Sequence, residues 1–365
     1  MLRPPLCYAL FGTIAISTHA FVTTNHHHLH SSATRLGEST TEAASSVDTV
    51  VECIDELYPP QGLDQRIALS RKDGYWPFIS TGEDPPQELV YGEFDVGLLD
   101  ESLQKARQML PSDKKDEEII FCDLGSGTGR LVLAAAALHP NWKQVKGIKL
   151  LESIYQEAQE TVDSCRRKET PAEDEQAEET SENSASEESD FVLTSDSGHE
   201  LPLAPIELEC GSFTDPYSSF GDADILFCFS SCLPQNIRIN LARSIGRQSR
   251  PGTIVITTEY QLPAGGVLDP LPDDPDYPSG EYEFELLDSF SGNCNAVGGT
   301  STVYIQRVTK SLGTGTQRVQ PELPLSEIAY RAIQYMEEND STVFLRQVSN
   351  NMAFLGFPDS WRPKI

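Results

Sequence analysis

The chain has 365 residues, room for one large domain or two, with 27 Lys and Arg against 56 Asp and Glu and a formal net charge of −29. Such a charge repels a phosphate backbone and an anionic lipid surface. Direct nucleic-acid binding and membrane binding of the mature chain are therefore not expected, whereas a protein partner, a basic one included, is compatible. The apolar fraction of 38% lies under the roughly 45–50% of compact domains, a reference that also counts Gly, and the shortfall sits in two Ser/Thr/Glu-rich stretches. Eight cysteines form no CxxC pair, and several lie inside apolar runs, which favours reduced structural thiols over disulfides or metal ligands. Five of the seven histidines fall in the first 30 residues, leaving His139 and His199; a His-based triad or zinc site is not expected, and no metal is.

In residues 1–20, Arg3 precedes an apolar run from Leu6 to Ile16 and Ala20 offers a small residue for cleavage, as in a secretory signal too short to span a bilayer. Residues 21–46 are rich in Ser, Thr and His, with Arg35 as the only Arg or Lys, as in a transit peptide. Signal, Ala20-Phe21 junction and hydroxylated stretch together resemble the bipartite plastid presequences of algae with secondary plastids. That resemblance implies a plastid address, with secretion or a mitochondrial presequence as the alternatives.

Residues 47–112 read as a helical and loop extension. Val50, Val51, Ile54 and Leu57 give helical spacing over Val47 to Tyr58 before Pro59-Pro60, and a second helix is predicted from Leu98 to Leu110. From residue 113 to 310 strands and helices alternate, predicting an α/β core with a doubly wound parallel sheet. Ile119 to Cys122 is a buried strand, Leu124 to Gly129 a glycine-rich turn and Arg130 to Leu138 a helix. Val145 to Leu150 and Ile154 to Cys165 repeat the strand–helix pattern. Residues 166–200 are dominated by Glu, Asp, Ser and Thr and read as a disordered acidic insertion, unable to bury enough surface to offset ordering. Strands at Pro205 to Cys210, Ala223 to Phe229 and Thr253 to Thr257 follow, with a helix from Asn236 to Gln248. Tyr282 to Leu287 and Thr302 to Arg307 are expected to form a closing hairpin after a Pro/Asp-rich loop, Pro263 to Gly280. Residues 311–365 read as a helical tail, with an amphipathic helix over Ser326 to Glu338.

The segment Asp123-Leu124-Gly125-Ser126-Gly127-Thr128-Gly129 carries the most information, because it joins a strand directly to a helix. A dinucleotide fold wants G-x-G-x-x-G aimed at a pyrophosphate. Here the spacing is G-x-G-x-G after an acid, which suits S-adenosylmethionine: it has no phosphate but brings a cationic end that Asp123 can face. The competing reading is an ordinary Gly-rich turn. The residue ending the second strand is normally an acid for the ribose hydroxyls, but this chain has Lys149, with Glu152 a turn later as the nearby replacement. Ser212 and Phe213 stand where a hydroxyl and a ring would meet the adenine.

Val90-Tyr91-Gly92-Glu93, the Asp123 to Gly129 turn and Phe227-Cys228-Phe229-Ser230-Ser231-Cys232-Leu233 together resemble the non-SET, Dot-one-type histone-lysine methyltransferase family, over about residues 88–260 without the insertion. The resemblance implies a Rossmann-like, seven-stranded class I methyltransferase core. It also implies S-adenosyl-L-methionine as cofactor and a protein substrate methylated on lysine. By the same resemblance Tyr91 and Glu93 fold over the cofactor, while Tyr91, Phe229, Ser230, Ser231 and Tyr260 line a channel for the acceptor. The family's Asn pair is replaced by Phe229 and Ser230, which puts the histone substrate in doubt. A small-molecule methyltransferase on the same fold, and an inactive methyltransferase-like binding scaffold, remain as alternatives.

Overall fold

The computed structural model describes residues 46–75, 78, 89, 91–166, 191–196, 198–271, 274, 277–294 and 299–316. The expected signal and transit segments and the helix over residues 326–338 lie outside them.

Helix α1 (Val47–Leu57) starts where the Ser46 side chain accepts the Thr49 amide at 3.3 Å and buries Val50, Cys53 and Ile54 on one stripe. It ends before Pro59-Pro60, as the sequence predicts. A further helix, α2 (Leu63–Gly74), was not expected; its buried positions are Arg66, Ser70 and Gly74, so it has almost no apolar stripe to read. Half-buried Leu63, Ile67 and Leu69 pack against Leu89, Tyr91, Leu151 and Ile154, and polar contacts add to this, among them the Ser153 amide donating to Asp73 at 2.7 Å. Helix α3 (Val96–Met109) begins two residues before the predicted Leu98, because Asp95 caps it through the Leu98 amide at 3.0 Å.

The core strands are β1 (Ile120–Leu124), β2 (Gln144–Lys149), β5 (Ile206–Cys210), β6 (Ile225–Cys228), β7 (Ile254–Thr258), β8 (Gly265–Leu268), β9 (Gly280–Cys294) and β10 (Gly299–Lys310). They form one sheet in the order β5-β2-β1-β6-β7-β10-β9-β8. The first five run parallel, and β10, β9 and β8 are antiparallel. This is a Rossmann-like, doubly wound α/β architecture. Chain order reverses at β1, flanked by β2 and β6, and such a switch point opens a crevice at the carboxyl ends of the strands.

Within β1 the burial alternates between two layers. Phe121 packs on the side of α1, α3 and α4 (Arg130–Leu138), whereas Ile120, Cys122 and Leu124 pack on the side of α6 (Gln235–Gln248). Helix α5 (Glu152–Ser164) buries Ile154, Ala158 and Val162.

Three expectations need correction. The sheet has eight strands rather than seven: β8 lies inside the expected Pro/Asp-rich loop and pairs with β9 from Gly265↔Glu283 to Leu268↔Gly280. Its Gly-Gly start and single buried residue, Leu268, hide it from pattern reading. The closing hairpin is much longer than predicted, fifteen and twelve residues, with a bulge between Ile305 and Gln306. The end of the acidic insertion is ordered: β3 (Val192–Thr194) pairs with β4 (Glu200–Pro202), and Phe191, Leu193 and Leu201 are buried in the main core. A few apolar side chains there supply the burial that the Glu-rich stretch lacks; residues 167–190 lie outside the described residues.

Gly147 in mid-β2 shows how tightly the turn region is packed. A Cβ there would meet Val132 Cγ2 at 2.8 Å, Leu208 Cδ2 at 2.9 Å and Ser126 Cβ at 2.9 Å. Gly147→Ala is therefore expected to cost about 1–3 kcal/mol of stability by overpacking, read as a lower midpoint in denaturant; an unchanged midpoint would contradict the packing described.

Candidate functional site

The turn after β1 is built on three left-handed glycines, Gly125 (φ 101°), Gly127 (φ 57°) and Gly129 (φ 82°), conformations that side chains with a Cβ rarely adopt. The amides of Gly125 and Ser126 both donate to the Ile148 carbonyl, at 2.9 and 3.0 Å, fastening the turn to β2. At Gly127 a second constraint applies, since a Cβ would stand 2.8 Å from Cε2 of Tyr91. The ring of Tyr91 therefore lies directly on the turn.

Polar contacts lock that arrangement. Tyr91 Oη donates to Glu93 Oε1 at 2.9 Å and shares a hydrogen bond with Thr128 Oγ1 at 3.0 Å, while Tyr58 Oη donates to the Thr128 carbonyl at 2.7 Å. Arg66 Nε donates to Glu93 Oε1 at 2.6 Å, and Arg130 lies 3.9 Å from the other carboxylate oxygen. Arg130 also donates to the Phe94 carbonyl at 2.8 Å and to Asp55 at 3.1 Å. Arg66 Nη2 and Arg130 Nε are buried without a hydrogen-bond partner among the described residues. Burial and the Glu93 charge push the Tyr91 hydroxyl well above its ordinary value, so it stays a donor.

These elements enclose a cavity of about 250 Å³ at the carboxyl ends of β1, β2 and β6. Of the residues singled out from sequence, Tyr91, Glu93, Asp123, Gly125, Ser126 and Gly127 line one side of it, and Lys149, Ser212, Phe213 and Phe229 another. Thr128 and Gly129 stand behind the wall, the first holding Tyr91 and the second pressed toward Ala158.

Besides these two, four expected site residues do not line the cavity. Glu152, at the start of α5, is exposed and does not line the cavity; its carboxylate accepts from Cys210 Sγ at 3.0 Å and from Gln156 at 2.9 Å. Ser230 is fully buried, its hydroxyl donating to the Thr258 carbonyl at 2.6 Å and accepting the Thr258 amide at 3.1 Å, so it pins the loop after β6 to β7 rather than facing a ligand. Ser231 lies in the short 3-10 turn Ser230–Cys232 with its hydroxyl toward Cys232. Tyr260 is 46% exposed and lines a separate groove.

Among the wall residues that sequence reasoning did not assign to the site are Phe94, Arg130, Leu131, Cys232, Leu233 and Ile237. Arg130 was visible as the first helical residue after the turn. Arg66 had no legible signal, since its role rests on the unexpected α2.

Asp123 and Lys149 both line the cavity and feel each other's charge, each less than a tenth exposed. Burial pushes the Asp123 carboxyl up to about 7 and Lys149 opposes this; burial likewise lowers the Lys149 amine and Asp123 opposes that. Burial, then the Asp123 charge, raises the Cys228 thiol well above its ordinary value.

No family model and no curated protein matches the sequence. Among solved structures, the chain is similar to an RNA methyltransferase from Salinibacter ruber in complex with S-adenosyl-L-homocysteine, at 17% identity over 60% of this chain and 96% of that one, with a TM-score of 0.30. It is similar to the rRNA methyltransferase aviRa from Streptomyces viridochromogenes at 14% identity over 65% of this chain and 92% of that one, TM-score 0.37. A third is magnesium protoporphyrin IX methyltransferase from Synechocystis PCC 6803 with bound SAM, at 13% identity over 74% and 100%, TM-score 0.33. At these identities and scores neither substrate nor chemistry carries over to this chain.

The Asp123 carboxyl, pushed up to about 7 from 3.8, gives a pH signature. The unfolded chain releases this proton near the ordinary carboxylate value and the folded chain only near neutrality, so the folded state binds more protons in between and loses stability as pH rises through that window. Asp123→Asn, which cannot ionise, is expected to lose this dependence, so its melting temperature relative to the parent rises between about pH 4 and pH 8. A gap independent of pH would contradict the buried, raised carboxyl.

Proposed function

We propose that the chain is an S-adenosyl-L-methionine-dependent methyltransferase whose acceptor is the side-chain amine of a protein lysine. The observation that carries the cofactor is the left-handed glycine turn with Asp123 before it and Tyr91 pressed onto Gly127, lining one cavity. The glycines let a ligand approach the backbone where any Cβ would intrude. Asp123 and Glu93 supply two carboxylates toward a cationic amino-acid end. The buried Nε of Arg130 lies 3.9 Å from Glu93 Oε2 and has no hydrogen-bond partner among the described residues, so it would meet the ligand's carboxylate. Phe213 offers a ring for the adenine and Ser212 a hydroxyl, both on the cavity wall.

The residues fit this group except at one place. Lys149 puts an ammonium where an acid would accept the ribose hydroxyls, so there the chain can donate hydrogen bonds instead of accepting them. When bound, the cofactor supplies a sulfonium-activated methyl group. The protein's share is alignment and exclusion of water. Phe94 and Phe229, with ring centroids 5.3 Å apart, and the apolar Leu233 and Ile237 form the dry side of the cavity. A lysine amine, ordinarily protonated to about pH 10.4, must enter neutral, which an apolar wall favours. The lysine acceptor draws its support from the resemblance to the Dot-one type; of the five residues expected to line its channel, Tyr91 and Phe229 face the cavity. The three that do not are the observation favouring the second reading, a small-molecule acceptor.

Calorimetry with S-adenosylmethionine tests the cofactor. The parent is expected to bind, and Asp123→Ala to bind at least about tenfold more weakly through loss of a charge-assisted contact; equal binding by the two would remove the proposal's foundation. Transfer of labelled methyl from that cofactor in cell extracts separates the acceptors. Label on protein lysine supports the first reading, and label confined to metabolites overturns it in favour of the second.

A further inference from the structure

On the far side of α6 from the cavity lies a second, larger depression of about 670 Å³, lined by Arg238, Arg243, Tyr260, Tyr282 and Tyr304 and by the first residues of β8. The two spaces share α6: Ile237 faces the first, and Gln235, Arg238 and Ile239 face the second. Charge sets this groove apart from the rest of the molecule. The chain carries 56 acids to 27 bases, yet the fourteen residues of α6 include three arginines and no acid.

Of those arginines, Arg247 is occupied, donating to the Asp269 carbonyl at 2.7 Å beside the Tyr277 ring. The other two are open to a ligand. Arg238 stacks on Tyr260, its guanidinium carbon 3.8 Å from the ring centroid, which leaves its edge donors directed outward from the stack. Arg243 is exposed and makes no hydrogen bond or ion pair among the described residues. The single acid on the groove wall, Glu259, is already engaged, its Oε1 accepting from Ser301 Oγ at 2.7 Å and from the Thr302 amide at 3.3 Å. Two guanidinium groups against this one carboxylate leave the groove with a net positive charge.

The floor adds a backbone feature. β8 is the last strand of the sheet order, so its outer edge has no neighbouring strand among the described residues. Gly265, Gly266 and Val267 on that edge are exposed, Val267 at 60%. An unpaired edge offers amides and carbonyls to an extended chain, and glycines let it come close.

We propose that this groove is a docking site for an extended acidic segment of a partner protein, with carboxylates paired to Arg238 and Arg243, aromatic side chains against Tyr260, Tyr282 and Tyr304, and backbone along β8. Charge complementarity selects the carboxylates, the rings select their aromatic neighbours, and the open edge selects a peptide over a free acid. The site stands on its own residues and holds whether or not the neighbouring cavity takes S-adenosylmethionine.

Fluorescence anisotropy of a dye-labelled peptide of alternating Glu and Tyr tests this on the full chain, against the same peptide with Gln in place of Glu and with free glutamate as competitor. The expected result is binding of the Glu peptide, about tenfold weaker binding of the Gln peptide, a similar loss in R238A/R243A, and no competition by glutamate at about 1 mM. The exposed Arg243→Gln alone, which disturbs no internal contact, is expected to weaken the Glu peptide about threefold and guards against misfolding of the double variant. Equal binding of the two peptides, binding unchanged in the arginine variants, or no binding of the Glu peptide overturns the proposal. Competition by free glutamate overturns the peptide in favour of a small carboxylic acid. Calorimetry with S-adenosylmethionine on R238A/R243A is expected to match the parent, so failure of one site is read apart from failure of the other.

Discussion

The site depends on one close contact, the ring of Tyr91 lying on the Cα of Gly127. It works only because Gly127 has no Cβ and sits at a left-handed φ of 57°. From it the rest of the wall follows. The Tyr91 hydroxyl bridges Thr128 of the turn and Glu93 of its own loop, and Glu93 is in turn gripped by Arg66 of α2. The chain before the core thereby becomes the cover of the cavity, and residues far apart in sequence act as one surface. A larger residue at Gly127 would separate cover from floor.

Charge in this enclosure is close to balanced. Asp123 and Glu93 face Lys149, Arg66 and Arg130, all at most about a tenth exposed as side chains or residues. Buried charges persist when each has a counterpart, and removing one partner leaves the other to bear its desolvation alone. Arg66 Nη2 and Arg130 Nε still lack hydrogen-bond acceptors among the described residues, and of the two only Arg130 lines the cavity, where the proposed ligand's carboxylate would supply one. Lys149 belongs to the same balance: it offsets Asp123 in the closed cavity, a role an acid at that position would not fill.

Much of the fold was legible because its signals are local. Five buried residues in β1, the G-x-G-x-G turn and the Ala-rich α4 announce themselves within twenty residues of sequence. What escaped was non-local. Helix α2 earns its place through Arg66 and Asp73 contacts to distant segments, and β8 through pairing with β9. At the site, the glycines and Asp123 could be read because their chemistry is set by the turn. Ser230, Ser231 and Tyr260 were assigned by resemblance, and their directions depend on how the 3-10 turn and the end of β7 pack. Ser230 spends its hydroxyl on Thr258, and Tyr260 is drawn to the far side of α6 by Arg238.

The central claim is that the backbone from Leu124 to Arg130, covered by Tyr91, grips the cofactor. Amide hydrogen exchange over that segment, with and without S-adenosylmethionine, tests it most directly. The account predicts slowed exchange at Gly125 to Gly129 and in the Tyr91–Glu93 cover when the cofactor is added. Exchange left unchanged there, at a concentration that slows it elsewhere in the chain, would contradict it.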